Sequence, residues 1–250
     1  MILEIAEITI ELTFIHYGLL FFGSFLASLF GSLIGIGGGF IILGLLSFLF
    51  PLSVMVPLLA GVLACIDLSR AIVFHSNIHL PIFYPFLIGC FIGVLGGSAL
   101  FISLSETVIG TGLGVLILFS LVQPDNRIRW KFKYPFVWVG VIHSFLSTMF
   151  GYGGLLQAVM IRTKLGNIQI TATLATSFLI LELLKVGSYA MGGFDYQPYI
   201  GVIVAAACGA IPASIIGRKL AHRVSLEFYR VAQKIIIGLI AINILLRVWA

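Results

Sequence analysis

From Phe14 to Ile34 the chain carries no Asp, Glu, Lys or Arg, and apolar stretches of similar kind recur to the end of the sequence. Runs of about 20 apolar residues match the hydrocarbon thickness of a bilayer. In lipid every backbone N–H and C=O must be satisfied within the protein, so such runs are helices unless they alternate like barrel strands. No alternating pattern is present, and the expectation is an all-α polytopic membrane protein. Composition agrees, with only 9% charged residues against roughly a quarter in soluble domains, and a mean hydropathy of +1.18.

The apolar segments run from Phe14 to Ile34, Phe40 to Phe50, Leu52 to His75, Pro81 to Leu104 and Glu106 to Val122. They resume at Pro135 to Phe150, Leu155 to Ile161, Ile168 to Gly192, Pro198 to Gly217 and Ser225 to Trp249. Between the two sets lies the longest polar stretch, Gln123 to Tyr134. No separate soluble domain fits. The first residues, with Glu4, Glu7 and Glu11 and no early Lys or Arg, do not read as a cleaved signal peptide.

The two halves resemble each other. Setting Gly35, Gly37 and Gly38 on Gly151, Gly153 and Gly154 fixes one offset, at which "GVLGGSAL" from Gly93 falls on "GAIPASII" from Gly209. One residue of slippage places Asp67–Arg70 on Glu182–Lys185. An internal repeat is the common plan of secondary transporters. The organisation expected is a first membrane repeat over 1–122, a basic cytoplasmic loop over 123–134, and a second membrane repeat over 135–250.

Lys and Arg set the orientation. Arg127, Arg129, Lys131 and Lys133, then Arg162 and Lys164, then Arg218, Lys219 and Arg223 are expected in the cytoplasm. That places both ends of Pro135–Arg162 on one side and makes it a re-entrant hairpin. Each half then holds one glycine-broken helix or hairpin plus three spanning helices, and the halves are inverted. The alternative is eight ordinary spans in parallel repeats. Trp130 and Phe132 in the basic loop read as headgroup anchors. The net charge of +5 reflects this loop bias and does not point to nucleic acid.

Each half has a glycine cluster in its apolar sequence: Gly35, Gly37, Gly38 and Gly39, then Gly151, Gly153 and Gly154. Small residues spaced four apart can serve helix packing alone. The extra glycines, and the shortness of the apolar pieces that follow, favour a break instead. A helix that restarts inside the membrane exposes free N–H groups and a partial positive charge, which suit an anion. With inverted repeats the two starts would converge near the midplane, and Gln157 could add an amide.

"GIGGGFIILGLL", "GYGGLLQAVMI" and "TLATSF" (Thr173 to Phe178), with the two-half plan, resemble the TauE/SafE family of sulfite exporter-like permeases. The resemblance implies a carrier of small anions, sulfur oxyanions or organosulfonates, in the bacterial cytoplasmic membrane. It also favours Thr176 and Ser177 as anion donors. The sequence departs from the family at Gly44 and Met160, where a proline is usual, at Leu155, where a third glycine is expected, and at Ala60–Val62, which lacks the Thr-Ser of the second half.

Asp67 with Arg70, and Glu182 with Lys185, are acid–base pairs three apart and so share a helix face. Intramembrane charges are costly and often functional. Two readings stand: anion guides with a proton or coupling site, or neutralised pairs whose cation snorkels to the headgroups. His143 reads as a hydrogen-bonded packing residue in preference to a proton relay. Cys65, Cys90 and Cys208 have neither metal nor disulfide spacing. There is no catalytic motif, no cofactor fingerprint and no metal-ligand set, so the expectation is not an enzyme. The expected partners are a small anionic substrate and the lipid bilayer. The rivals to an alternating-access anion carrier are a cation-coupled carrier or channel using the charged pairs, and a non-transporting scaffold.

Overall fold

A computed structural model describes residues 14–34, 38–121, 133–151, 153–160, 162–220 and 242. The described residues form helices and short connections, with no strand among them. Gly35 and Gly37, the arginines of the basic loop and the segment Ser225–Trp249 apart from residue 242 lie outside the described residues.

The helices are α1 (Phe14–Ile34), α2 (Gly38–Leu49), α3 (Leu52–Phe74), α4 (Leu80–Phe101), α5 (Glu106–Leu121), α6 (Pro135–Phe150), α7 (Gly154–Met160), α8 (Asn167–Met191) and α9 (Ile200–Leu220). Among the described residues α1, α3, α4, α8 and α9 are long and apolar enough to cross a membrane. At 1.5 Å per residue α2 is about 18 Å long and α7 about 10 Å, well short of a bilayer core of about 30 Å. The chain is a multi-pass α-helical membrane protein. α1 covers the Phe14–Ile34 run expected from the sequence and packs along α9.

Close approaches fix the relative directions of the helices. In α4, Gly89 faces Val137 and Val141, Gly93 faces Val141 and Phe145, and Gly97 faces Phe145 and Thr148. Both numbers climb together, so α4 and α6 run parallel. On the other side Gly201 meets Tyr17, Gly209 meets Phe21 and Phe25, and Gly217 meets Leu29 and Ser32, so α1 and α9 are parallel too. A Cβ at Gly93 or Gly209 would meet the partner's backbone, so only glycine permits this approach. Ser28 Oγ donates to the Ala210 carbonyl at 2.9 Å and shares a hydrogen bond with Ser214 Oγ at 2.7 Å, which Ser69 Oγ joins at 2.6 Å.

The long helices α3 and α8 form the centre and run antiparallel. Tyr196, beyond the end of α8, donates to the Pro57 carbonyl near the start of α3. His79, beyond the end of α3, donates its N–H to Thr173 Oγ1 near the start of α8. Lys133, Arg162, Lys164, Arg218 and Lys219 accordingly gather at the end where α3 finishes. Glu106, which accepts from the Ser53 N–H, and Asp195 lie at the opposite end.

Candidate functional site

Both glycine clusters interrupt a helix. α6 ends where Gly151 takes the left-handed conformation, φ 70°, and returns its N–H to the Ser147 carbonyl at 2.9 Å. A residue with a Cβ is strained there. α7 restarts at Gly154. In the first half α1 stops at Ile34 and α2 begins at Gly38. Gly38 rests against the Ala27 carbonyl, and Gly23 against Leu45. α2 therefore runs back along α1 and starts about two turns short of its end.

The second start is held by a side chain. The Leu156 N–H donates to His143 Nδ1 at 3.1 Å. His143 is fully buried and its ring stacks on Phe178, with centroids 5.2 Å apart and planes 8° from parallel. With Nδ1 accepting, the neutral ring carries its proton on Nε2, and Nε2 has no hydrogen-bond partner among the described residues. This corrects the expectation that the N–H groups of the restarted helix are all open, because a histidine already caps one of them. At the repeat offset the first half has Ala27 in place of His143, so only one half has such a cap.

The acid–base pairs are fully formed. Arg70 Nη2 donates to Asp67 Oδ1, and Lys185 Nζ lies 2.8 Å from Glu182 Oε2. All four residues are buried, Arg70 at 5% exposed and Lys185 at 0%. Both cations are enclosed within the bundle. The Arg70 guanidinium lies against Gly31, whose missing side chain gives it room. Lys185 Nζ also donates to Ser147 Oγ at 3.2 Å, and Tyr189 Oη donates to the Thr148 carbonyl nearby.

A cavity of about 30 Å³ lies among these groups, enough for about two waters or one compact ion. Gly39 and Phe40 from the start of α2 line it, as do Gly151 and Gly153 before α7, and Gln157 within α7. Asp67, Arg70, Glu182, His143 and Ser147 complete its polar wall. Arg70 Nε, His143 Nε2 and Gln157 Oε1 are buried and have no hydrogen-bond partner among the described residues. Buried polar atoms are seldom left in that state.

Of the residues singled out by sequence, Gly39, Gly151, Gly153, Gln157, Asp67, Arg70 and Glu182 are brought to this one cavity. Gly38 and Gly154 are buried at the helix starts beside it. Lys185 stands behind the wall. Thr176 and Ser177 do not line it. Thr176 Oγ1 donates to the Ala172 carbonyl of its own helix at 2.9 Å, whereas the buried Ser177 hydroxyl has no partner among the described residues. Sequence reasoning missed His143 and Ser147 as wall residues. Their signal lay in register, since the repeat offset places Ser147 on Gly31 and His143 on Ala27.

Broken helices meeting at a polar cavity inside a multi-pass bundle define a membrane transporter fold. The family model for the sulfite exporter TauE/SafE matches residues 20–244, and the chain belongs to that family. No curated protein and no solved structure matches it.

Proposed function

We propose that the protein is a secondary transporter of a small anion, of the sulfur-oxyanion or organosulfonate kind, bound in the cavity between the two helix starts. One observation carries this reading: three buried polar groups without partners among the described residues, on Arg70, His143 and Gln157, share one small cavity with both helix starts. Arg70 Nε and His143 Nε2 are donors. Gln157 presents either end of its amide, since the two are interchangeable by a flip. The start of α2 adds the positive end of a helix dipole. The volume suits a compact ion better than a large organic molecule.

The halves are inverted in this reading. α1 and α3 run one way and their counterparts α6 and α8 the other, while α4 and α9 oppose each other likewise. This supports hairpins that enter from opposite faces, with the cationic end in the cytoplasm of a bacterial inner membrane. Alternating access then amounts to loosening the seal on one side of a fixed central site and tightening the other.

The test is uptake by reconstituted protein of sulfite, thiosulfate, sulfate, simple sulfonates and carboxylates. At least one sulfur anion should be taken up saturably, and Gln157→Ala should weaken it. If none is moved or bound, the anion reading fails. Asp67 and Glu182 in the same wall favour a second reading, a cation-coupled carrier or channel. Proton or Na⁺ flux that persists with no sulfur anion on either side would favour the second reading.

A further inference from the structure

We propose that Asp67 is the proton-binding group of transport, so that each anion enters with one proton. This rests on the anion reading above and adds its coupling ion.

Two carboxylates and two cations sit at the cavity, and their charges cancel. Adding a monovalent anion to an enclosed site of zero charge leaves it one negative charge in excess, two for a divalent anion such as thiosulfate, and uncompensated charge is costly where water is scarce. The two pairs are unequal in what they can offer. Lys185 is fully buried behind the wall, with its ammonium engaged by Glu182 at 2.8 Å and Ser147 at 3.2 Å. Arg70 is part of the wall, and its Nη2 is committed to Asp67, with Nε unpartnered among the described residues. Arg70 is thus the cation an entering anion meets. Once it does, one guanidinium faces two negative partners. A proton on a carboxylate oxygen of Asp67 restores the balance, turning an ion pair into a neutral hydrogen bond and freeing the positive charge of Arg70 for the anion.

The other ionisable groups around Asp67 are few. Its own helix presents Arg70, α8 presents Glu182 and Lys185, and α6 presents His143. α1 presents Gly31 and α2 presents Gly39 and Phe40 on that side, and α9 contributes Ser214 through Ser69. His143 is committed through Nδ1 to the Leu156 N–H, and taking a second proton would leave a buried cation on an element already beside Lys185. Glu182 keeps its own cation throughout. Asp67 alone has a partner that the substrate also claims.

The experiment uses the intact chain in vesicles with a trapped pH indicator and two probes, methanesulfonate and thiosulfate. Neither takes up a proton near neutral pH, so any proton that crosses with them is carried by the protein. Three readouts are needed: exchange of labelled for unlabelled anion, lumen pH during anion influx, and accumulation under an imposed pH gradient. The wild type should exchange anion, acidify the lumen on influx, and accumulate anion when the outside is acidic. Asp67→Asn should lose at least tenfold of the pH-driven accumulation relative to whatever anion exchange it keeps. Asp67→Glu should retain it. Exchange without proton movement in the wild type would overturn the inference and leave the anion site standing. Retention of pH-driven accumulation in Asp67→Asn would overturn the choice of Asp67. No exchange of either probe would overturn the anion reading itself, and this inference with it. If Asp67→Asn does not fold, the wild-type measurement still decides whether a proton crosses, and Asp67→Glu decides on Asp67 by whether the pH dependence of accumulation shifts.

Discussion

The inner wall of the first half and that of the second perform one task with different residues. In the first, Arg70 reaches toward α1, and Gly31 makes room for the broad guanidinium. In the second, the slimmer Lys185 reaches toward α6, and Ser147 offers a hydroxyl at 3.2 Å. Glycine pairs with the large cation, and serine with the small one. The second half adds Tyr189 on the Thr148 carbonyl and His143 on the Leu156 N–H. The first has Ala27 at the His143 position and an unpartnered Ser32 hydroxyl at the Thr148 position. A near-symmetric backbone thus carries unequal chemistry. The second hairpin is tied down, and the first leaves a charged group with hydrogen-bonding capacity to spare.

The harshest way to break this comparison is to remove either cation. Arg70→Ala and Lys185→Ala each leave a buried carboxylate alone, and each should cost about 3–5 kcal/mol, read from thermal unfolding in detergent. Equal and small losses would mean that neither pair is desolvated. A sharper test exchanges the solutions of the two halves. Gly31→Ser places atoms where the guanidinium lies and should cost about 1–3 kcal/mol by overpacking. Adding Arg70→Lys should recover most of the stability while lowering anion exchange, since an ammonium has no spare Nε and no planar fork. A silent Gly31→Ser would sink the account of the glycine. The gentlest test is Tyr189→Phe, which removes one hydrogen bond to the second hairpin and should cost about 1 kcal/mol. No equivalent bond is made among the described residues of the first half, so the hydrogen-exchange protection of α6 should fall while that of α1 is unmoved.

Much of this was legible in the sequence. The spans were marked by long absences of charge, and the described residues of the Phe14–Ile34 run are helical throughout. The breaks were marked by glycines denser than packing requires, and the ion pairs by a spacing of three. What could not be read was which cation meets the cavity, because that depends on how α1 and α6 sit on α3 and α8. The role of His143 was hidden for a related reason. Its partner is a backbone N–H beyond a turn, and backbone donors leave no mark in a sequence. Thr176 points to the opposite limit. A hydroxyl that looks available in one dimension is satisfied by the carbonyl one turn before it.

The pairing of α1 with α9 means that α1 finds this partner only after many further residues have been made, since the contact of Ser28 with Ala210 spans 182 positions. Until α9 emerges, the serine-studded face of α1 must wait in lipid, or be minded by a chaperone of the insertion machinery. Nascent chains stopped before residue 200 should therefore be prime targets for membrane quality control, and the two halves, expressed as separate polypeptides, should accumulate only when made together.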